Sequence, residues 1–230
     1  MKSLLLLAGY PRTATNSLSN IYRYNPIRFL EDVKENYILA KNLKSIDDYI
    51  SDYRDLVHQY PDCIPADFTT INTQLSEETL IELKEKAKPY FNIKVLLSLR
   101  HPVDRVKSIF YKNLEWIVKG SRFTDLSGIK KRPLEPSDYY IRQFHYETPY
   151  LETYNKYKKH FPVLVIDGIH YQNTFYRKKE LSELIEYDLP EVQGLHRNSS
   201  INTGHLSKYE ECKLRKIYSR DIETWRNLCF

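Results

Sequence analysis

The segment Gly9-Tyr10-Pro11-Arg12-Thr13-Ala14-Thr15-Asn16-Ser17-Leu18 brings together a turn-forming glycine, one guanidinium, several hydroxyls and the amides that open a helix. It follows an apolar run, Ser3 to Leu7, that reads as a buried strand. Where a strand turns sharply into a helix, the first N–H groups have no acceptors inside that helix and the helix dipole adds positive potential. The chemistry on offer is therefore anion binding, a phosphate above all. Taken alone, the segment is equally well explained if Thr15, Asn16 and Ser17 only cap a helix. The ATP-type phosphate loop, G-x-x-x-x-G-K-[ST], fits poorly. Ala14 and Thr15 stand at its second glycine and its lysine, so the main β/γ-phosphate contact is missing.

Such a loop must be held by a strand before it and a helix after it, and the chain repeats that alternation. Strands are expected at Ser3 to Leu7, Val33 to Leu39, Cys63 to Phe68, Lys94 to Leu99 and Val163 to Asp167. Helices are expected at Thr15 to Arg23, at Leu43 to Leu56, and from an N-cap at Ser76 to about Lys88. After His101-Pro102, apolar residues at Val103, Val106, Ile109, Phe110 and Ile117 mark one face of a long helix. Tyr139 to His160 and Phe175 to Tyr187 read as further helices, and Ser207-Lys208-Tyr209-Glu210 as a capping box opening a last helix to about Leu228. Lys119 to Pro136, with two glycines and two prolines, reads as a surface insertion loop. Alternation of this kind implies an α/β fold, a central parallel sheet flanked by helices, and residues 1–230 read as a single domain.

With 41% hydrophobic and 28% charged residues, the chain is neither fibrous nor disordered. Its only strongly apolar start, Leu4 to Ala8, is far short of the roughly 20 residues that span a bilayer, and no signal-peptide pattern follows. Cys63, Cys212 and Cys229 have neither metal-like nor redox spacing, so the expectation is a cytoplasmic protein without membrane attachment. Thirty-five basic against thirty acidic residues leave +5, a bias toward anionic partners that does not choose among phosphates, sulfates, acidic glycans and nucleic acid.

Pro11-Arg12-Thr13-Ala14-Thr15-Asn16 resembles the 5′-phosphosulfate loop, Pro-Lys-Ser-Gly-Thr-Thr, of the sulfotransferases that use 3′-phosphoadenosine 5′-phosphosulfate (PAPS), with arginine for lysine and alanine for glycine. Farther along, Arg100-His101-Pro102 and Ser108 reproduce that family's 3′-phosphate motif: an arginine at a strand end, a proline, and a serine eight residues after the arginine. The spacing makes chemical sense, because a residue at the strand tip and one about a turn and a half into the next helix can converge on one phosphate. Val33-Lys34-Glu35-Asn36-Tyr37-Ile38 resembles the Lys-Glu-x-x-Phe-Phe segment of the heparan-type carbohydrate members. Asp67-Phe68-Thr69-Thr70 stands where the family often has Glu-Lys-Ser/Thr-Pro. Leu195-His196-Arg197-Asn198 resembles the loop that closes over the nucleotide.

The resemblance implies a P-loop-like three-layer fold and transfer of a sulfuryl group from PAPS to an acceptor hydroxyl, leaving 3′-phosphoadenosine 5′-phosphate (PAP). It also implies that Pro11, Arg12, Thr13, Ala14, Thr15, Asn16, Ser17, Arg100, Ser108 and Arg197 bind the nucleotide, with Glu35 as base and Asp67 in reserve. Arg12, permanently charged, would stabilise the leaving phosphate electrostatically. No histidine aligns with a base role, and no metal is required. A carbohydrate is the favoured acceptor, with peptide tyrosine and small alcohols as alternatives, and nucleic acid and membranes are not expected partners. Two other readings stay open at this point: a P-loop-type small-molecule kinase or NTPase, and a non-catalytic domain binding acidic glycans or nucleic acid.

Overall fold

The computed structural model describes residues 1–22, 26–118, 149–174, 176–189 and 207–230. Its five strands are β1 (Lys2–Leu7), β2 (Ile27–Phe29), β3 (Ile64–Asp67), β4 (Phe91–Leu99) and β5 (Val163–Asp167). They form one parallel sheet in the order β2-β3-β1-β4-β5. The helices described are α1 (Thr15–Tyr22), α2 (Ile46–Gln59), α3 (Glu77–Ala87), α4 (Pro102–Val118), α5 (Tyr150–Lys158), α6 (Gly168–Thr174), α7 (Lys178–Ile185), α8 (Lys208–Ile217) and α9 (Ser219–Cys229).

A central strand of a parallel sheet is covered on both faces, which is why β1 is a run of leucines rather than an alternation. Leu4 and Leu6 pack with Ile93, Val95 and Leu97 against α2, α3, α5 and α9, through residues such as Tyr49, Leu83, Tyr157 and Cys229. Leu5 and Leu7 face the other way with Leu96 and Ile166, toward Leu18 of α1, Tyr171 of α6 and Leu181 and Ile185 of α7. The result is the expected α/β fold, helices on both sides of a parallel sheet. Fully burying one such leucine stabilises the fold by about 1.5–3 kcal/mol.

Local signals place several ends. Ser45, Ser76 and Ser207 each accept a hydrogen bond from the backbone N–H three residues on, capping α2, α3 and α8. Other expectations need correction. Val33 to Leu39 is not a strand, and the second strand is Ile27–Phe29. Tyr37 has φ 57°, which no strand accommodates, and Ile38 and Leu39 are both buried although adjacent, so the segment does not alternate. α2 begins at Ile46 rather than Leu43, α6 is a separate helix ahead of α7, and the C-terminal helix is two helices broken at Tyr218. Lys119 to Pro136, and the first part of Tyr139 to His160, lie outside the described residues. Among the described residues, no helix is long and apolar enough to cross a membrane.

Candidate functional site

β1 and β4 are neighbours in the sheet, but from β1 the chain goes on to the β3/β2 side and from β4 to β5. Their carboxyl ends therefore flank the point where the winding reverses, the crevice in which open α/β sheets hold ligands. The two anion motifs are the loops that leave these two ends.

After β1, Thr13 donates both its N–H (3.3 Å) and its hydroxyl (2.8 Å) to the carbonyl of Tyr10, closing a tight turn. Arg12 (φ 69°) and Ala14 (φ 63°) are left-handed on either side of Thr13. That alternation turns successive N–H groups to one side, as in an anion-binding nest. α1 then starts at Thr15, so its opening amides lack acceptors inside the helix. A Cβ on Gly9 would lie 2.7 Å from Cγ2 of Thr15, so glycine lets the strand end and helix start approach.

The β4 loop is tied directly to this one. Arg12 donates through Nε to Oγ of Ser108 on α4 (2.9 Å), Arg100 donates to the carbonyl of Arg12 (3.2 Å), and Ser98 donates to the carbonyl of Thr13 (2.7 Å). Burial lowers the Arg100 guanidinium from its usual value; Asp104 opposes that and the like charge of Arg12 adds to it. Two guanidiniums held this close repel one another, and an anion between them would turn that repulsion into attraction. Tyr150 donates its hydroxyl to the Arg100 carbonyl (3.0 Å), and its ring lies 4.8 Å from that of Tyr10. Arg105, 2% exposed, sits against both rings.

The segment 34–37 reaches the same loop from the other side. Lys34 Nζ donates to Thr15 Oγ1 (3.2 Å), Asn16 Oδ1 (2.7 Å) and Glu35 Oε1 (2.5 Å), while Tyr37 donates its hydroxyl to Glu35 Oε2. Burial pulls the Lys34 ammonium below the ordinary lysine value against the opposing Glu35, and the Tyr37 phenol is pushed up to about 12 by burial and then by Glu35. The backbone on both sides of Glu35 is pinned to the end of β3: Phe68 donates its N–H to the Lys34 carbonyl (3.2 Å), and Tyr37 donates its N–H to Thr69 Oγ1 (3.3 Å).

Asp67 is fully buried, its carboxyl raised above the ordinary value by burial, and it accepts from the Thr69 N–H (2.9 Å) and the Tyr49 hydroxyl (3.2 Å). It supports the loop that holds Glu35 and offers no carboxylate to a substrate. Phe68 packs in the core against Phe29.

The structure thus brings Arg12, Thr13, Ala14, Thr15 and Asn16 together with Arg100, Ser108, Lys34 and Glu35; Pro11 lies half-buried within the same loop. The Ser17 side chain and all of Arg197 lie outside what is described. Sequence reasoning missed Ser98, Tyr150 and Gly168. A Cβ at Gly168 would meet the Thr13 carbonyl oxygen at 2.0 Å and Ser98 Oγ at 2.5 Å, so this glycine lets the end of β5 press against the anion loop. Its signal was a glycine directly after a strand end. Among the described residues, no group of three or more His, Cys, Asp or Glu could hold a metal ion.

No family model and no characterised protein matches the sequence. Among solved structures, the chain is similar to a sulfotransferase from Alicyclobacillus acidocaldarius, with a TM-score of 0.61 at 12% identity, covering 100% of this chain and 98% of that one. At that identity the likeness is one of fold alone, the parallel α/β architecture that this chain shares with that sulfotransferase over its whole length.

Proposed function

We propose that the chain is a PAPS-dependent sulfotransferase acting on a hydroxyl acceptor, with a carbohydrate as the favoured class. The observation that carries this reading is the junction of the two anion loops, Arg12 on Ser108 and Arg100 on the Arg12 carbonyl, at the carboxyl ends of adjacent strands in a sulfotransferase fold. Lys34 supports it further, because it links that junction to the Glu35 carboxylate through Thr15 and Asn16.

Bound PAPS supplies the activated sulfuryl group. The β1 loop, with Arg12 and the opening amides of α1, grips the phosphosulfate end, and Arg100 and Ser108 grip the 3′-phosphate. Glu35 would take the proton of an acceptor hydroxyl, whose oxygen would bond to sulfur while the sulfur's bond to the 5′-phosphate oxygen breaks. Arg12, too basic to donate a proton, stabilises the negative charge that develops on the leaving phosphate. Lys34 and Tyr37, on the two oxygens of Glu35, fix the direction from which the carboxylate accepts.

Calorimetric titration with PAP, and separately with ATP and magnesium, tests the cofactor. PAP is expected to bind without metal, and Arg100→Ala to weaken it by at least about tenfold, the factor that about 1.4 kcal/mol of lost charged hydrogen bonding gives. Glu35→Gln is expected to bind PAP as the wild type does while losing sulfuryl transfer by about 100-fold or more. Preference for magnesium ATP over PAP would overturn the reading.

A further inference from the structure

Beside Glu35 the surface opens into a cavity of about 500 Å³ between the 30–44 segment and α2. Two of its apolar residues, Val33 (47% exposed) and Leu43 (60% exposed), are uncovered, and Leu56 of α2 continues the apolar wall behind them. Its charge is one-sided. Glu31, Asp52 and Asp55 line it together with Glu35, which Lys34 holds at 2.5 Å from behind, and the one lining ammonium is that of Lys44, which Asp52 already holds at 2.6 Å. The Lys44 ammonium is held charged by that hydrogen bond and by the fields of Asp52, Glu31 and Asp48, so the negative potential exceeds what one lysine neutralises. The segment that carries this wall holds backbone strain: Glu31, which lines the cavity, and Asp32, Tyr37 and Asn42, which adjoin lining residues in the chain, have φ between 50° and 57°. Such strain persists only where the surrounding structure fixes it, and it clusters at ligand sites.

We propose that this cavity is the acceptor subsite, and that it takes a glycoside with an apolar aglycone and a neutral or cationic sugar while rejecting anionic sugars. The assignment rests on the sulfotransferase reading for its hydroxyl chemistry, but its charge and shape come from the cavity alone. The uncovered Val33 and Leu43 suit the aglycone, and the carboxylates suit an amine or hydroxyls as hydrogen-bond donors. A carboxylated or sulfated sugar would have to be brought among like charges, and among the described lining residues the ammonium it meets is that of Lys44, already engaged by Asp52.

Three 4-nitrophenyl β-glycosides that differ only in the sugar make the test: the glucosaminide, the glucoside and the glucuronide. Each is titrated calorimetrically into the full chain at mildly acidic pH, with and without saturating PAP. The glucosaminide and glucoside are expected to bind at least about tenfold more tightly than the glucuronide, with the gap narrowing at high salt as screening removes it. Asp55→Lys, a change at an exposed position on α2, is expected to close or invert that gap while PAP binds as before, which also shows the variant folded. A glucuronide that binds as tightly as the others overturns the proposal. So does the absence of saturable binding by both other glycosides, or an order that Asp55→Lys leaves unchanged. If PAP gives no heat but the charge order holds and follows Asp55→Lys, the cavity stands as a glycoside site of this charge preference, and the sulfotransferase reading falls together with the acceptor role. If PAP binds and the order fails, the reverse holds.

Discussion

Ala14 holds φ 63°, a conformation that costs an L residue about 1–2 kcal/mol and that glycine adopts freely. Position 14, where the loop that this segment resembles has glycine, carries a backbone requirement that this chain meets with alanine, kept in place by the ties from Ser98, Arg100 and Lys34 to the neighbouring residues. Asp67 shows how burial assigns roles to carboxylates. Its folded pKa is raised above 3.8 by burial, so between those two values the folded state binds more protons than the unfolded one. Its contribution to stability therefore grows as pH falls through the folded value and levels off below the unfolded one. In Asp67→Asn the amide oxygen still accepts from Thr69, and no charge is buried. The variant is expected to gain most over the wild type at about pH 7 and to lose that advantage toward about pH 4, while sulfuryl transfer persists because Glu35 is intact. Denaturant melts at the two pH values check the first point. A stability difference that does not change with pH would count against a buried ionised Asp67, and lost transfer in a folded variant would return Asp67 to candidacy as the base.

At the scale of elements, the anion loop is clamped between three strand ends, and the junction of β5 with α6 leaves no room for a side chain. Gly168→Ala would place a methyl 2.0 Å from the Thr13 carbonyl oxygen, a backbone atom that can yield only by moving the loop. Overpacking of this kind costs about 1–3 kcal/mol. The variant is expected to melt several degrees lower and to lose PAP affinity disproportionately; wild-type melting and affinity together would mean that the contact does not set the loop. The sequence shows only a glycine after a strand end; what that glycine touches was not legible, because it depends on β5 lying beside β4, a pairing far apart in the chain. What was legible was local: β1 and β4 from the apolar runs Leu4–Leu7 and Val95–Leu97, the serine caps, and the two motif loops at strand ends. The segment 33–39 misled because its apolar residues suggest a strand, whereas a left-handed Tyr37, the Lys34 carbonyl accepting from Phe68 and the Tyr37 N–H donating to Thr69 make it an irregular wall. Even with the wrong element around it, Glu35 is linked through Lys34 to Thr15 and Asn16 of the β1 loop.

For the molecule as a whole, the candidate site is assembled from segments 88 and 96 residues apart, joined by Arg100 to Arg12 and by Arg12 to Ser108. These ties fasten the β1 unit to the β4–α4 unit across the point where the sheet winding reverses. A ligand that bridges the two loops must then stabilise the whole fold rather than one loop, since unfolding either half destroys its site. A ligand at 100 times its Kd adds about 2.7 kcal/mol to the unfolding free energy, and in a chain of this size 1 kcal/mol moves Tm by about 2–4 °C. PAP at that concentration is therefore expected to raise Tm by roughly 5–10 °C in a single cooperative transition. Arg100→Ala removes one hydrogen bond to the loop, worth about 1 kcal/mol to the ligand-free protein, and with it the side chain proposed as the principal grip on one phosphate. Its ligand-free Tm should fall by only a few degrees, while its shift with the same PAP concentration should shrink to a small fraction of the wild-type value. A full shift in that variant would mean that the nucleotide stabilises the chain from somewhere other than the junction of the two loops.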